Sequence, residues 1–191
     1  MTGNGFSAGA RTPADESRRG FPYLQFAAAL AATAAAAFIL RGPSAETVWR
    51  TVTLSVLLFA AVCDAVSRQV SNHTVAALFI CGFFGIGGPL DLIPRAAAAA
   101  ALFLPLALIY RFRRNLSPGG ADIKILSALG FAFGFGGVFI SLAFTFGFCL
   151  LFFAGAAIFF SLKKDGRSVR KLAIPLVPFI FAGSAVYCLF F

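Results

Sequence analysis

One stretch of the sequence restricts the fold more than any other. From Ile123 to Leu162 the chain is apolar for 40 residues, with Lys124 as its only charged side chain. A helix needs about 20 predominantly apolar residues to cross a bilayer, so this stretch is long enough to cross twice. Gly134, Gly136 and Gly137 divide it. The pattern therefore predicts a short membrane helix followed by a longer one.

The composition agrees with a membrane protein. Of the 191 residues, 60% are hydrophobic and 12% are charged, whereas about 25% of the residues of a soluble domain are charged. The formal net charge of +9 does not indicate nucleic-acid binding, because Lys and Arg occur in short clusters between apolar stretches and form no continuous basic face.

Five further apolar stretches bring the predicted number of helices to seven. They are Phe21–Leu40, Thr47 to about Cys63, Thr74–Gly88, Ala96–Tyr110 and Leu172–Phe191. If the N-terminus is cytoplasmic, alternating spans place 13 of the 16 Lys and Arg residues inside and leave Arg41, Arg50 and Arg95 outside. Cytoplasmic loops carry such an excess. We therefore expect an all-α polytopic bundle of about seven transmembrane helices, the fifth short, in which residues 1–20 form a polar cytoplasmic tail and 21–191 one membrane-embedded domain.

The cysteine and histidine content argues against a metal site. The four cysteines are scattered through apolar segments, no C-x-x-C pair occurs, and a single His cannot complete a zinc site with them. We expect neither a metal nor a cofactor.

Two of the seven acidic residues are candidates for chemistry. Asp64 ends the second apolar stretch and Asp122 begins the fifth helix, and the predicted topology places both at the cytoplasmic membrane face. Ionisable groups at such depths are costly and indicate function. Two carboxylates at one depth can share a proton, so that one activates water and the other protonates a carbonyl oxygen. The remaining five are predicted as solvated loop charges: Asp15, Glu16, Glu46, Asp91 and Asp165.

Simpler interpretations of both residues stay open at this point. Asp64 has Arg68 four residues later, a pair worth about 0.3–0.5 kcal/mol on a helix surface. Asp122 is suited to a helix N-cap or first turn. Since Asp64 follows one helix and Asp122 starts another, helix dipoles favour the charge on Asp122, which we expect to act as the base.

Three segments carry a resemblance to a known family. The segment Asp64-x-x-x-Arg68-x-Val70-Ser71-Asn72 is similar to the D-x-x-x-x-x-I-P-N segment of type IV prepilin peptidases, with Ser71 in place of Pro. The segment Gly119-Gly120-Ala121-Asp122-Ile123-Lys124 resembles their G-x-G-D-x-K, with Ala121 in place of Gly. The segment Ile174-Pro175-Leu176-Val177-Pro178-Phe179 resembles the I-P-F-x-P-F of their last helix. Together they span about residues 64–191.

The resemblance implies a function. In that family the aspartates matching Asp64 and Asp122 are the catalytic pair of a membrane aspartic endopeptidase, which cleaves the short basic leader of pilin-like precursors at the cytoplasmic face of the bacterial inner membrane. As partners of this chain, the resemblance implies a prepilin or pseudopilin substrate and membrane lipid. It implies no nucleic-acid partner. The supporting residues are Arg68, Asn72, Gly119, Gly120 and Lys124.

The chain resembles the short form found with tight-adherence pilus systems. Larger relatives also methylate the new N-terminus and contain a loop with two C-x-x-C pairs, which this sequence lacks; methyltransferase activity is therefore not expected. Lys124 either stabilises the charge of Asp122 or binds phospholipid. A non-enzymatic scaffold of pilus assembly and a small ion-coupled transporter are the alternative functions, although the transporter fits less well because the spans show no internal repeat.

Overall fold

The computed structural model describes residues 23–112, 119–162 and 175–191, and every secondary-structure element in these ranges is a helix. The helices are α1 (Tyr23–Arg41), α2 (Ala45–Ser67), α3 (Asn72–Phe84), α4 (Pro89–Phe112), α5 (Gly120–Leu162) and α6 (Val177–Phe190). The prediction of an all-α fold is confirmed for these residues. The predicted tail at 1–20, most of the loop at 111–120 and the basic cluster at 163–171 lie outside the described residues.

Three helices are long and apolar enough to cross a membrane. They are α2, α4 and the part of α5 from Gly120 to Phe159. Large apolar side chains face outward from the bundle; Ile39 is 81% exposed and Leu90 82%. Such a surface is suited to contact with lipid. The count of seven spans and the cytoplasmic N-terminus stay predictions.

Helix α5 is interrupted where the sequence predicts a division. At Gly134 the backbone adopts φ 69° and ψ −176°, a region that is essentially restricted to glycine. Arg95 of α4 donates hydrogen bonds to the carbonyl oxygens of Ala132 and, at 2.6 Å, of Gly85. Because carbonyl groups without partners are costly in a membrane, Arg95 stabilises the interruption of α5 and the end of α3.

Helices α2 and α4 begin earlier than predicted, and this changes the interpretation of two acidic residues. Helix α4 begins at Pro89, a favourable first helical residue because its missing N–H is not needed there. Asp91 in its first turn accepts a hydrogen bond from the N–H of Gly87 at 3.2 Å. Glu46 lies in the first turn of α2 and pairs with Arg50. The prediction that Glu46 and Asp91 are loop charges is therefore wrong, since both lie where helix dipoles favour an anion.

The part of α5 before Gly134 lies at the centre of the bundle. Its buried side chains form one cluster with side chains of the neighbouring helices: Ile125, Leu129 and Ala132 of α5, Leu54 and Leu57 of α2, Leu78 of α3 and Ile180 of α6. Beyond Gly134, small residues bring α5 and α6 together. A Cβ atom at Gly183 would overlap Thr145, and the hydroxyl groups of Ser141 and Ser184 are hydrogen-bonded at 2.8 Å. Small and hydroxylated residues are common contacts between membrane helices.

Candidate active site

The structure brings both predicted catalytic residues to one cavity. The cavity has a volume of about 120 Å³ and is lined by Asp64, Arg68, Asp122, Pro175 and Leu176. Its walls come from the end of α2, the first turn of α5 and the residues just before α6. The Asp64 and Asp122 carboxylates are close enough for their charges to repel each other. This arrangement allows the two groups to hold one proton between them.

Asp64 is held by a helix that the sequence did not connect with it. Its Oδ2 accepts a hydrogen bond from the N–H of Val177 at 3.3 Å. Val177 is the first residue of α6, where N–H groups have no intrahelical acceptor. Asp64 therefore lies at the N-terminus of α6 as well as in the last turns of α2. Both carboxylates thus lie at helix N-termini, and the helix-dipole argument for a charge on Asp122 alone no longer holds.

Asp122 is held by the chain that leads into its own helix. Its Oδ2 accepts a hydrogen bond from the N–H of Gly119 at 3.2 Å, and a Cβ atom on Gly119 would lie 3.1 Å from that oxygen. A Cβ atom on Gly120 would meet no atom of the described residues within 4 Å. Gly119 therefore has a steric reason to be glycine, whereas Gly120 has none. Ala121 is helical and its φ is not positive, so alanine fits the position where the family has glycine.

Arg68 reaches the cavity through an unusual backbone conformation. It caps the C-terminus of α2 with φ 53° and ψ 27°, and its N–H donates to the carbonyl oxygen of Asp64 at 2.9 Å. The left-handed conformation costs a non-glycine residue about 1–2 kcal/mol. Arg68 thereby lines the cavity together with both aspartates.

Asn72 and Lys124 contact each other at the edge of the site. The Lys124 Nζ donates a hydrogen bond to the Asn72 Oδ1 at 2.8 Å, which joins the start of α3 to the start of α5. Ser71 caps α3 with φ −66°, a value that proline also adopts, and its hydroxyl oxygen accepts from the N–H of His73 at 3.2 Å. Neither Asn72 nor Lys124 lines the cavity. Their bond instead fixes how the two motif segments are placed.

Sequence reasoning missed the contribution of the last helix. Pro175 and Leu176 line the cavity and Val177 binds Asp64. The sequence feature that could have revealed this contribution is the Ile174–Phe179 motif. It was used for the family resemblance, and no role in the site was assigned to it. Ile174 itself lies outside the described residues. Within those residues, no three His, Cys, Asp or Glu side chains are grouped as a metal site requires.

Comparison with protein families supplies the assignment. Residues 51–159 match the model of the type IV leader peptidase family, a segment that is more than half of the chain and includes both aspartates. The chain belongs to the type IV leader peptidase family. Membership indicates a peptidase, and together with the long apolar helices it indicates a membrane protein. No curated protein and no solved structure matches the chain. The segment matched to the leader peptidase family ends before α6, which nevertheless forms part of the cavity.

Proposed function

We propose that this leader peptidase is an aspartic endopeptidase in which Asp64 and Asp122 form the catalytic pair. The observation that carries the proposal is the shared cavity: two carboxylates 58 residues apart in sequence line one small space and repel each other. Both lie in the segment that matches a peptidase family.

The reaction follows from the chemistry of two carboxyl groups that share a proton. The ionised one removes a proton from a water molecule, whose oxygen attacks the carbonyl carbon of the scissile peptide bond, while the other donates its proton to the carbonyl oxygen. When the tetrahedral intermediate collapses, the C–N bond breaks, the leaving amine takes the proton from one carboxyl group, and a hydroxyl group of the intermediate gives its proton to the other. The carboxyl groups then return to their starting protonation.

The surrounding residues hold the pair in place for this cycle. Each carboxyl is bound through its Oδ2 to one backbone N–H, from Val177 for Asp64 and from Gly119 for Asp122. Groups fixed in this way need little reorganisation as charge moves. Arg68 supplies a basic residue to the wall of the same cavity.

The substrate and the membrane face are proposed from the family and the charge distribution. We propose cleavage of the short basic leader of a pilin-like precursor at the cytoplasmic face of the bacterial inner membrane, as in the short form that serves tight-adherence pili, without methylation. Support comes from the excess of Lys and Arg on the predicted cytoplasmic side.

The test is processing of a co-expressed prepilin by Asp64→Asn and Asp122→Asn variants. An amide keeps the size of the side chain but cannot cycle the proton, so each variant should abolish processing while the protein remains in the membrane. Asp91→Asn is the matched control, because the same change is made at a carboxylate outside the cavity; it should process normally.

Normal processing by either active-site variant would contradict the catalytic pair. A non-enzymatic scaffold and a transporter would both show no processing by any variant, the wild type included.

A further inference from the structure

A second, larger cavity lies at the opposite end of the bundle from the aspartates. It has a volume of about 350 Å³, and Arg50 in its wall is about 21 Å from Asp64 along α2 at 1.5 Å per residue. We call it the arginine pocket; the lining side chains that matter here are Glu46, Trp49, Arg50, Phe84, Arg95 and Tyr187.

Arg50 is buried with part of its hydrogen-bonding capacity unused. The residue is 7% exposed, its Nη2 donates to the Glu46 Oε1, and its Nε and Nη1 have no hydrogen-bond partner among the residues that the structure describes. The guanidinium carbon lies 5.2 Å from the centre of the Tyr187 ring and 5.9 Å from that of Trp49. These ring faces attract a cation but do not replace a hydrogen-bond acceptor. Because buried charged donors without acceptors are costly, Arg50 is suited to an acceptor that arrives from outside.

The lining charges favour an anion. Arg95 donates its hydrogen bonds to the carbonyl oxygens of Ala132 and Gly85. Because these acceptors are neutral groups, they do not neutralise the positive charge of Arg95. Among the described residues of the lining, Glu46 is the only acidic one, against two arginines. The pocket also lies at the N-terminus of α2, which adds partial positive charge.

We propose that the arginine pocket binds a phosphate-type anion through Arg50. Glu46 is the movable partner, because its side chain is 58% exposed whereas that of Arg50 is 9% exposed. An arriving anion takes the place of the Glu46 carboxylate on Arg50. This site does not depend on the peptidase proposal.

Two sources can supply this chemistry, a phospholipid headgroup and free phosphate. The pocket wall includes Phe84, which is 75% exposed, and Leu90 in the first turn of α4 is 82% exposed. Apolar surface therefore continues from the pocket wall, and an acyl chain can pack against it.

The chain carries its own probe for the test, because Trp49 in the pocket wall is its single tryptophan. The full chain, purified in a neutral detergent, is titrated with inorganic phosphate at constant ionic strength, set with chloride. In a second arm it is titrated with mixed micelles of phosphatidylglycerol or of phosphatidylcholine. The emission of Trp49 is followed in both arms.

We expect a saturable change in emission that depends on Arg50. Arg50→Gln should weaken binding by about tenfold or more, because charge-assisted hydrogen bonds are lost. Glu46→Gln should strengthen binding several-fold, because the competing carboxylate is removed. Arg111→Gln removes the same charge in the last turn of α4, away from the pocket, and should leave binding unchanged.

The two arms identify the source of the anion. Saturation by inorganic phosphate supports a free anion, and saturation by phosphatidylglycerol alone, without an effect of phosphatidylcholine, supports a lipid headgroup. Absence of saturation in both arms overturns the proposal, as does saturation that Arg50→Gln leaves intact. If Arg50→Gln yields no folded protein, Glu46→Gln decides, and binding that is unchanged or weaker in that variant overturns the proposal.

Discussion

At the scale of single residues, two adjacent glycines of the motif have different reasons to be present. The N–H of Gly119 binds the Asp122 carboxylate, and its Cα hydrogen faces that group so closely that a methyl group would lie 3.1 Å from the Oδ2. At Gly120, a Cβ atom would meet no described atom within 4 Å. The sequence motif treats both positions alike, and only the structure shows that Gly119 is close to the Asp122 carboxylate whereas Gly120 is not.

Gly119→Ala should therefore reduce prepilin processing by roughly tenfold or more, because misplacing a catalytic group by a few tenths of an ångström is costly to the reaction. Gly120→Ala is the matched control and should process at close to the wild-type rate. The measurement is the ratio of processed to unprocessed prepilin at equal enzyme levels. Equal losses in both variants would show that the crowding of Asp122 is not the cause.

A second test at this scale concerns Arg68. Substitutions can remove its charge while keeping its left-handed backbone conformation. Glycine and asparagine both adopt the left-handed conformation readily, so Arg68→Gly and Arg68→Asn should keep the turn after α2. Both should process prepilin at least about tenfold more slowly, because a positive charge beside the reacting groups is lost. Arg68→Lys, which keeps the charge, should lose less. Full processing by the glycine variant would limit Arg68 to its role in the turn.

At the scale of helices, hydropathy predicted the existence of each element but not always its ends. The position of Pro89 as a first helical residue extended α4 to include Asp91, and the break in α5 falls at Gly134, the first of three glycines that the sequence offered. The local sequence pattern could not predict which residues form hydrogen bonds with each other across the bundle. The bonds from Arg95 to Ala132 and from Asp64 to Val177 join residues 37 and 113 apart.

The break in α5 yields a prediction of its own. Gly134→Ala should lower the free energy of unfolding by about 1–3 kcal/mol, because alanine is strained at this φ and ψ. Gly136→Ala, in a helical position with open space around it, should be neutral or stabilising by up to about 1 kcal/mol. Unfolding of both variants in the same detergent gives the comparison. If Gly134→Ala is as stable as Gly136→Ala, the break does not require glycine.

At the scale of the whole molecule, the residues that carry chemistry are separated into two ends. The aspartates, Arg68 and the bond between Asn72 and Lys124 lie at one end, and the arginine pocket lies at the other. The sequence predicted that the two aspartates share an end, because spans alternate in direction. It could not predict the larger cavity, since no motif joins residues 45–50 to 84–95 and 132–133.

Orientation in the membrane can be tested with single cysteines at the two ends. Pro43 lies between α1 and α2, Gln69 lies between α2 and α3, and both are exposed. A membrane-impermeant maleimide should label Pro43→Cys in cells whose inner membrane is intact. It should label Gln69→Cys only after that membrane is opened, with the wild type as the blank for the native cysteines. The reverse pattern would place the aspartates on the wrong side for leader cleavage, and labelling of both from outside would contradict the two-ended arrangement.

The hydrogen bond from Val177 to Asp64 also sets the order in which the site can be made. Ribosomes deliver α2 and α5 before α6, so a growing chain holds both carboxylates in the membrane before the amide of Val177 has been synthesised. Until then Asp64 lacks the N–H that fixes it, and two walls of the cavity, Pro175 and Leu176, do not yet exist. Synthesis of α6 is therefore the step that completes the cavity, and the proposed peptidase has its full site only after that helix has been made.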